Sequence, residues 1–229
     1  MPDAMILYNF AVIEGCDGCG TTTQLKLLEN KCTIQGNSKN GELGAAEPEA
    51  VYGFPPVFTT KEPTGSHIGL LIRRILKGEI TVKKETLARL FAADRGEHLY
   101  APGGIVEHCK QGEMVISDRY TPSSLVYQGL ECGKKLAKSL NAAFPHPELL
   151  VYIDIEPDIA LDRIENRKEK QEIYEKFTFQ AKARSAYLEL LPFYEKAGVK
   201  VLCLDGAKEP SELAGEIWSA VNKMPIIKK

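Results

Sequence analysis

The sequence has neither a long apolar run nor a large excess of one charge. A transmembrane helix needs about 20 consecutive apolar residues, and no stretch here approaches that length, so we expect no membrane partner. The N-terminus has no basic segment followed by an apolar core, which argues against a secretory signal. The 29 Lys and Arg residues and 31 Asp and Glu residues give a net charge of −2. Since this charge provides no basic field, we expect no nucleic-acid partner.

Cysteine is too sparse to suggest a disulfide scaffold, with six residues in a chain of 229. In a chain of this size without a secretory signal, we interpret them as reduced thiols of a cytoplasmic protein. Cys16 and Cys19 form a C-x-x-C pattern, which is also compatible with half a zinc site or a redox pair. No second C-x-x-C and no nearby histidine pair follows, and the glycine-rich context favours another interpretation of these two positions.

Apolar strand-like segments alternate with helical patterns along the chain, which is typical of a parallel sheet covered on both faces. We predict an α/β fold: a doubly wound, five-stranded parallel sheet with helices on both faces, in one domain spanning residues 1–229. The predicted strands are Met5–Glu14, Val57–Thr60, Met114–Ser117, Leu149–Ile155 and Lys200–Leu204. The predicted helices are Thr21–Lys31, Ser66–Lys77, Glu85–Tyr100, Phe177–Ala197 and Ser211–Met224.

Residues 32–56 do not follow this alternation. They are rich in glycine, asparagine, alanine and glutamate and show no clear period. We interpret this segment as a surface insertion.

Residues 15–22, GCDGCGTT, follow the first strand and open the first helix. They fit the frame of the phosphate-binding loop G-x-x-x-x-G-K-[ST], whose backbone N–H groups and helix N-terminus bind phosphate oxygens. Thr22 supplies the hydroxyl expected to ligate Mg²⁺. Thr21, however, occupies the position of the lysine that normally neutralises the terminal phosphates. Without that lysine, the pattern is also compatible with an ordinary glycine turn between a strand and a helix.

Further motifs follow in order along the chain. Residues 60–66 read TKEPTGS, residues 94–95 read DR, residues 117–120 read SDRY, residues 123–129 read SSLVYQG, and residues 152–154 read YID. Together with the EGCDGCGTTTQ loop, they resemble the thymidylate kinase family over nearly the whole chain. The D-R-Y…S…Y-Q-G run is the most specific part of this resemblance. The resemblance implies a kinase with a small lid that uses ATP and Mg²⁺ to convert dTMP to dTDP for dTTP synthesis. It also implies a cytoplasmic homodimer.

The resemblance implies a role for each residue of the acceptor site. Asp17 would accept a hydrogen bond from the 3′-hydroxyl of dTMP, and Phe91 would stack on the base. Arg73, or its neighbour Arg74, would reach a carbonyl oxygen of the base, with Ser124 near the base edge. Tyr127 would press against the sugar where a 2′-hydroxyl would project. The full acceptor set is Asp17, Lys61, Pro63, Arg73, Phe91, Arg95, Arg119, Ser123, Ser124, Tyr127 and Gln128.

Arg95 and Arg119 would hold the acceptor phosphate and the transferring group, because the planar guanidinium matches phosphate oxygens. Each could instead form a structural ion pair, for instance with Asp94 or Asp118. Asp118, at the end of a strand, would hold Mg²⁺ together with Thr22. The residues expected to bind the donor are Gly15, Gly18, Cys19, Gly20, Thr21, Thr22 and Arg163.

Residues 166–176 resemble the lid of these kinases, with one departure. Where the common D-R-x-E pattern has an arginine, this chain has Ile173. Arg167 and Lys170 lie close by, and we expect one of them, with Arg167 the first choice, to be the catalytic cation from the lid, although a solvated charged face would look the same in sequence. Two other functions stay open: a nucleotide-binding protein with little or no catalysis, and a kinase for another acceptor such as dUMP, dGMP or a nucleoside.

Overall fold

A computed structural model describes residues 5–34, 57–166, 174 and 177–226, without the side chains of residues 32–34. Within these residues, five parallel strands form one sheet in the order β2-β3-β1-β4-β5. The strands are β1 (Ile6–Gly15), β2 (Val57–Lys61), β3 (Met114–Asp118), β4 (His146–Asp154) and β5 (Lys200–Asp205). The doubly wound parallel sheet predicted from the sequence is therefore confirmed.

Helices cover both faces of this sheet. They are α1 (Thr21–Ile34), α2 (His67–Leu76), α3 (Lys84–Tyr100), α4 (Ile105–Lys110), α5 (Thr121–Cys132), α6 (Lys134–Asn141), α7 (Pro157–Glu165), α8 (Phe177–Lys196) and α9 (Pro210–Val221). Alternate residues of β1 point to opposite faces. Ala11 and Ile13 pack in the core with α1 and α9, whereas Phe10 and Val12 pack in the core with α3, α4 and α8. Burial on both faces explains why the strands read as continuous apolar runs.

The structure corrects two details of the sequence interpretation. The first helix continues to Ile34, three residues beyond its predicted end at Lys31 and into the first residues of the predicted insertion, residues 32–56. Residues 35–56, the rest of that predicted insertion, lie outside the described residues. The bounds of α4, α5 and α6 were not predicted; α4 and α6 have too few residues to show a clear hydrophobic period.

The strand order determines where a ligand can bind. The chain passes from the central β1 to β2, which lies beyond β3, so connections leave the sheet in opposite directions on either side of β1. In open α/β sheets, ligands bind at such a switch point, beside the carboxyl ends of the strands. Asp118 at the end of β3 is in register with Ile13 of β1 and Lys61 of β2. The residues that follow these three strands therefore meet at one edge.

Within the described ranges, no helix is both long enough and apolar enough to cross a lipid bilayer.

Candidate functional site: a nucleotide-binding edge of the sheet

The glycine loop after β1 has the backbone conformation of an anion cradle. Gly18 and Gly20 have φ angles of 87° and 102°, which favour glycine. A Cβ atom on Gly18 would lie 2.3 Å from the carbonyl oxygen of Ala160 in α7, whereas a Cβ on Gly20 would meet nothing within 4 Å. The helix α1 begins at Thr21 and has no acidic residue in its first turn. Its partial positive charge is therefore available to an anion.

Thr22 and Asp118 lie together at the mouth of this loop. The Thr22 hydroxyl donates a 2.7 Å hydrogen bond to Asp118 Oδ2. Asp118 Oδ1 is buried and has no hydrogen-bond partner in the described part of the chain. A free carboxylate oxygen beside a hydroxyl fits the oxygen ligands that Mg²⁺ prefers. The described residues contain no cluster of three or more His, Cys, Asp or Glu side chains that could hold a metal by themselves. A Mg²⁺ ion here would need further oxygen ligands from water or phosphate.

Thr21 is buried, with 5% of its surface exposed. A threonine hydroxyl carries no charge and is far shorter than a lysine side chain. Thr21 therefore cannot supply the positive charge that a lysine at this position would bring to the phosphates.

The two cysteines of the loop are packed side chains. Cys16 and Cys19 are both buried, and a turn joins them through the Cys19 N–H and the Cys16 carbonyl oxygen at 3.1 Å. Burial raises the pKa of the Cys16 thiol and raises the pKa of Cys19 to about 12. Since the thiolate is the reactive and metal-binding form, this environment does not favour the zinc or redox interpretation.

Arg119 lies at the centre of the site. Its Nη2 donates to Asp17 Oδ1 at 2.5 Å, and its Nη1 donates to Gly15 O at 3.1 Å and to Ser123 Oγ at 3.2 Å. Its φ angle is 72°, a left-handed conformation that costs a non-glycine residue about 1–3 kcal/mol. The backbone turn aims the guanidinium back across the glycine loop. Its ion-pair partner is Asp17 and not Asp118, the example considered from the sequence.

Glu14 holds this turn in place, and sequence reasoning did not assign it a role. Its buried carboxylate accepts hydrogen bonds from the Tyr120 N–H, the Ser123 N–H, the Ser123 hydroxyl and the Tyr187 hydroxyl, at 2.7–3.2 Å. Burial raises the pKa of Glu14 from 4.5 to about 7, although Arg119, the Ser123 and Tyr187 hydroxyls and the Tyr120 N–H lower it. This carboxylate therefore ties the end of β1 to the start of α5 and to α8.

Arg95 is buried, and its guanidinium has partners on all sides. Nε and Nη2 donate to Glu62 Oε2 at 3.0 and 2.6 Å, Nη2 also donates to Ser124 Oγ, and Nη1 donates to Asn141 Oδ1. The ion-pair partner is thus Glu62 rather than Asp94. These bonds use four of its five N–H donors, which leaves Arg95 one Nη1 hydrogen for direct phosphate binding.

Asp94 instead organises the loop of residues 60–66. Its carboxylate accepts from the Thr64 N–H, the Thr64 hydroxyl and the Ser66 hydroxyl, at 2.6–2.9 Å. Arg73 donates to the Pro63 carbonyl oxygen and faces the site. Its neighbour Arg74 points outward to Glu79. Of the two arginines considered from the sequence, the structure therefore brings Arg73 to the pocket.

One pocket contains every residue predicted for the acceptor. It also contains Thr22 and Asp118, which places the predicted metal ligands at its wall. The pocket residues are Asp17, Thr22, Lys61, Glu62, Pro63, Arg73, Leu76, Phe91, Arg95, Asp118, Arg119, Tyr120, Ser123, Ser124, Tyr127, Gln128 and Tyr174.

Aromatic side chains form part of this pocket wall. Tyr127 is buried, with its ring centroid 5.4 Å from the Arg119 guanidinium carbon. Tyr174 packs edge-on against Tyr127 and stacks on Phe179, and its hydroxyl donates to Glu131 Oε2 at 2.6 Å. Phe91 also lines the pocket. These rings offer flat apolar surface beside a cluster of cations.

Fewer of the residues predicted to bind the donor nucleotide can be placed than of those predicted for the acceptor. Arg163 lies on α7, one turn after Ala160, whose carbonyl oxygen packs against Gly18. Arg184 on α8 makes a bidentate pair with Asp154 and a further bond to Glu156, so its charge is already balanced. The predicted lid cation Arg167 and the variant position Ile173 lie outside the described residues.

Gln180 is a second residue that sequence reasoning missed. It is fully buried on α8, and its side chain contacts Asp17 of the glycine loop. The two residues are 163 positions apart, and no local pattern marks Gln180. Glu14 did have a signal, because it begins the E-G-x-D-G motif.

Comparison with known proteins gives a consistent result. Residues 51–216 match the family model described as thymidylate kinase. A Treponema pallidum protein assigned provisionally as a thymidylate kinase is 41% identical over 182 residues, covering 80% of this chain and 78% of that protein. A probable thymidylate kinase of Methanococcus maripaludis is 36% identical over 227 residues, covering 96% of this chain and 98% of that protein. A thymidylate kinase of Leptospira borgpetersenii is 34% identical over 210 residues, covering 90% of each.

Proposed function

This chain belongs to the thymidylate kinase family, and from that premise we propose that it transfers the γ-phosphoryl group of ATP to dTMP, giving dTDP and ADP. One observation carries the proposal best. The eleven residues predicted for the acceptor line a single pocket, and Thr22 and Asp118 stand at its wall. An acceptor phosphate beside Arg119 would then lie next to the cradle for the donor phosphates. Phosphoryl transfer needs mainly this positioning and charge neutralisation.

Each group in the pocket has a chemical task in this proposal. The loop N–H groups and the α1 N-terminus bind the donor phosphates, while Arg119 binds the acceptor phosphate and the group in transfer. Phe91 stacks on the base, and Asp17 accepts from the sugar hydroxyl. Thr22 and Asp118 would hold Mg²⁺, which supplies positive charge to the phosphates when bound. The direct phosphate role of Arg95 stays a prediction, since its guanidinium is already bonded to Glu62.

Two wider properties rest on the family alone. We propose that the protein acts as a homodimer in the cytoplasm, as the resemblance implies. Size-exclusion chromatography with light scattering tests the first of these directly.

A second candidate function is nucleotide binding with weak catalysis. Thr21 favours it, because a buried threonine cannot neutralise the terminal phosphates. A cation elsewhere, such as Arg163 or Arg167, is needed for efficient transfer.

An assay coupled to ADP release, with dTMP, dUMP, dGMP and thymidine as separate acceptors, tests both candidates. The thymidylate kinase proposal predicts the highest kcat/KM for dTMP. If ADP is released at the same rate with and without an acceptor, the protein binds nucleotides but does not transfer the phosphoryl group to the acceptor. A preference for another acceptor would instead change the assigned substrate.

A further inference from the structure

Gln180 makes three side-chain hydrogen bonds at the heart of the site. Its Oε1 accepts from the Asp17 N–H at 3.1 Å, and its Nε2 donates to Asp17 Oδ2 at 3.1 Å and to the Tyr174 carbonyl oxygen at 2.8 Å. A glutamine amide has two N–H donors, and both are used. The side chain is fully buried, so water does not compete for these bonds.

These bonds hold Asp17 from the side opposite to Arg119. Asp17 Oδ1 receives the Arg119 guanidinium at 2.5 Å, and Oδ2 receives the Gln180 amide. A carboxylate has about four acceptor sites, so each oxygen keeps capacity for a hydroxyl of a ligand. The carboxylate is thus fixed in orientation while it still lines the acceptor pocket.

The same amide also sets the entry of the glycine loop. The Asp17 N–H donates to Gln180 Oε1, so this donor is already used within the protein. Gly18, the next residue, then turns the chain with a φ angle of 87°. Gln180 therefore fixes the peptide unit that precedes the remaining N–H groups of the glycine loop, and so helps to set their orientation.

We propose that Gln180 is a positioning residue for the acceptor nucleotide: its amide fixes the Asp17 carboxylate in the orientation that meets the sugar of dTMP. This inference rests on the proposed function for the identity of the acceptor. A purely structural glutamine would contribute packing and stability without a specific effect on the acceptor.

Two substitutions separate these roles. Gln180→Met keeps the volume and removes all three hydrogen bonds. Gln180→Glu keeps the shape, but its ionised carboxylate faces Asp17 Oδ2 and the Tyr174 carbonyl oxygen, both of which are acceptors. Burial beside Asp17 favours the protonated form of the introduced carboxyl, and that form restores one donor. Gln111→Glu, at an exposed position after α4, is the matched control.

The test is calorimetric titration of each variant with dTMP and separately with ATP–Mg²⁺, from about pH 6 to pH 9. We expect Gln180→Met to weaken dTMP binding on the order of tenfold at every pH, as lost bonds to a charged group do. ATP binding should change far less. For Gln180→Glu, the loss relative to wild type should shrink as the pH falls, whereas Gln111→Glu should parallel wild type.

The inference is overturned if both Gln180 variants bind dTMP as wild type does, or if they lose dTMP and ATP equally with no dependence on pH. Should Gln180→Met fail to fold, the pH profile of Gln180→Glu decides alone. The titrations measure binding and do not require turnover. If wild type binds dTMP but shows no kinase activity, the proposed function is contradicted, and the Gln180 inference can still be tested. A wild type that does not bind dTMP would contradict both.

Discussion

Asp17 and Arg119 face each other across the glycine loop, with Oδ1 and Nη2 at 2.5 Å. Each side chain is about one-fifth exposed and lines the same pocket. Because the pair is largely buried, the cost of removing both charges from water offsets much of their attraction, so the pair is weak evidence for stability. The pair instead fixes a cation and a hydrogen-bond acceptor close enough together for one ligand to contact both. The predictions below follow from this arrangement.

Phe91→Ala should weaken dTMP binding by about 1–3 kcal/mol through lost base stacking. ATP binding should change little, because Phe91 lies in the acceptor pocket. Calorimetric titration with each nucleotide measures both effects. Phe193→Ala, on α8 outside that pocket, is the control substitution. Equal losses for the two nucleotides would mark Phe91 as a packing residue only.

Tyr127 should exclude ribonucleotides through the bulk of its ring. Tyr127→Phe removes only a hydroxyl that has no partner in hydrogen-bond geometry among the described residues, so the preference for deoxy acceptors should survive. Tyr127→Leu shortens the side chain and should lower that preference by about tenfold, the scale of a lost pocket contact. The measurement is the ratio of kcat/KM for dTMP and its ribose counterpart. An unchanged ratio in Tyr127→Leu would remove Tyr127 from sugar selection.

Glu14 should make the stability of the fold depend on pH near neutrality. Because its pKa is raised from 4.5 to about 7 in the folded protein, the folded state binds this proton more tightly than the unfolded state. Its contribution is fully present below pH 4.5 and is lost as the pH rises through 7. The loss amounts to about 3 kcal/mol in the free energy of unfolding.

Urea titrations of wild type and Glu14→Gln at several pH values measure this contribution. The variant should lack that part of the pH dependence, while Glu79→Gln, an exposed control, should keep it. If wild type and Glu14→Gln lose stability in parallel between pH 5 and pH 8, the raised pKa is wrong.

The lysine missing from the glycine loop gives a prediction about cations. If Arg163 or Arg167 neutralises the donor phosphates, changing either to Gln should lower kcat by about 100-fold or more. Adding Thr21→Lys to that variant should restore part of the loss. Arg74→Gln, whose partner is the exposed Glu79, is the control. If catalysis is instead weak in wild type, Thr21→Lys alone should raise kcat. No change in any variant would place the compensating charge on another residue.

The sequence predicted the sheet, and the residues it assigned to the acceptor line one pocket, for a physical reason. Continuous apolar strands require a covered parallel sheet, and residues after such strands share one edge. Asp17, Arg119 and Tyr127 could therefore be placed together from motifs alone. Glu14 and Gln180 could not receive their roles, because their partners lie more than 100 positions away in the chain. Contacts of that kind depend on how α5 and α8 pack against β1.

The partners of Arg95 could not be predicted from the sequence either. Its motif predicted a cation near the ligand, and it does line the pocket. The sequence did not indicate that Glu62 and Asn141 would already occupy its guanidinium. Burial decides this, since a buried guanidinium needs partners for its donors.

The central claim is that this protein phosphorylates dTMP at the Arg119 edge of the pocket. The direct measurement is chromatographic quantification of dTDP and ADP formed from dTMP and ATP–Mg²⁺ by wild type and by Arg119→Ala, with folding checked by thermal denaturation. Wild type should form the two products in equal amounts, and the folded variant should be slower by about 100-fold or more, as for a lost transition-state cation. Formation of ADP without dTDP, or near-wild-type turnover in Arg119→Ala, would contradict the account.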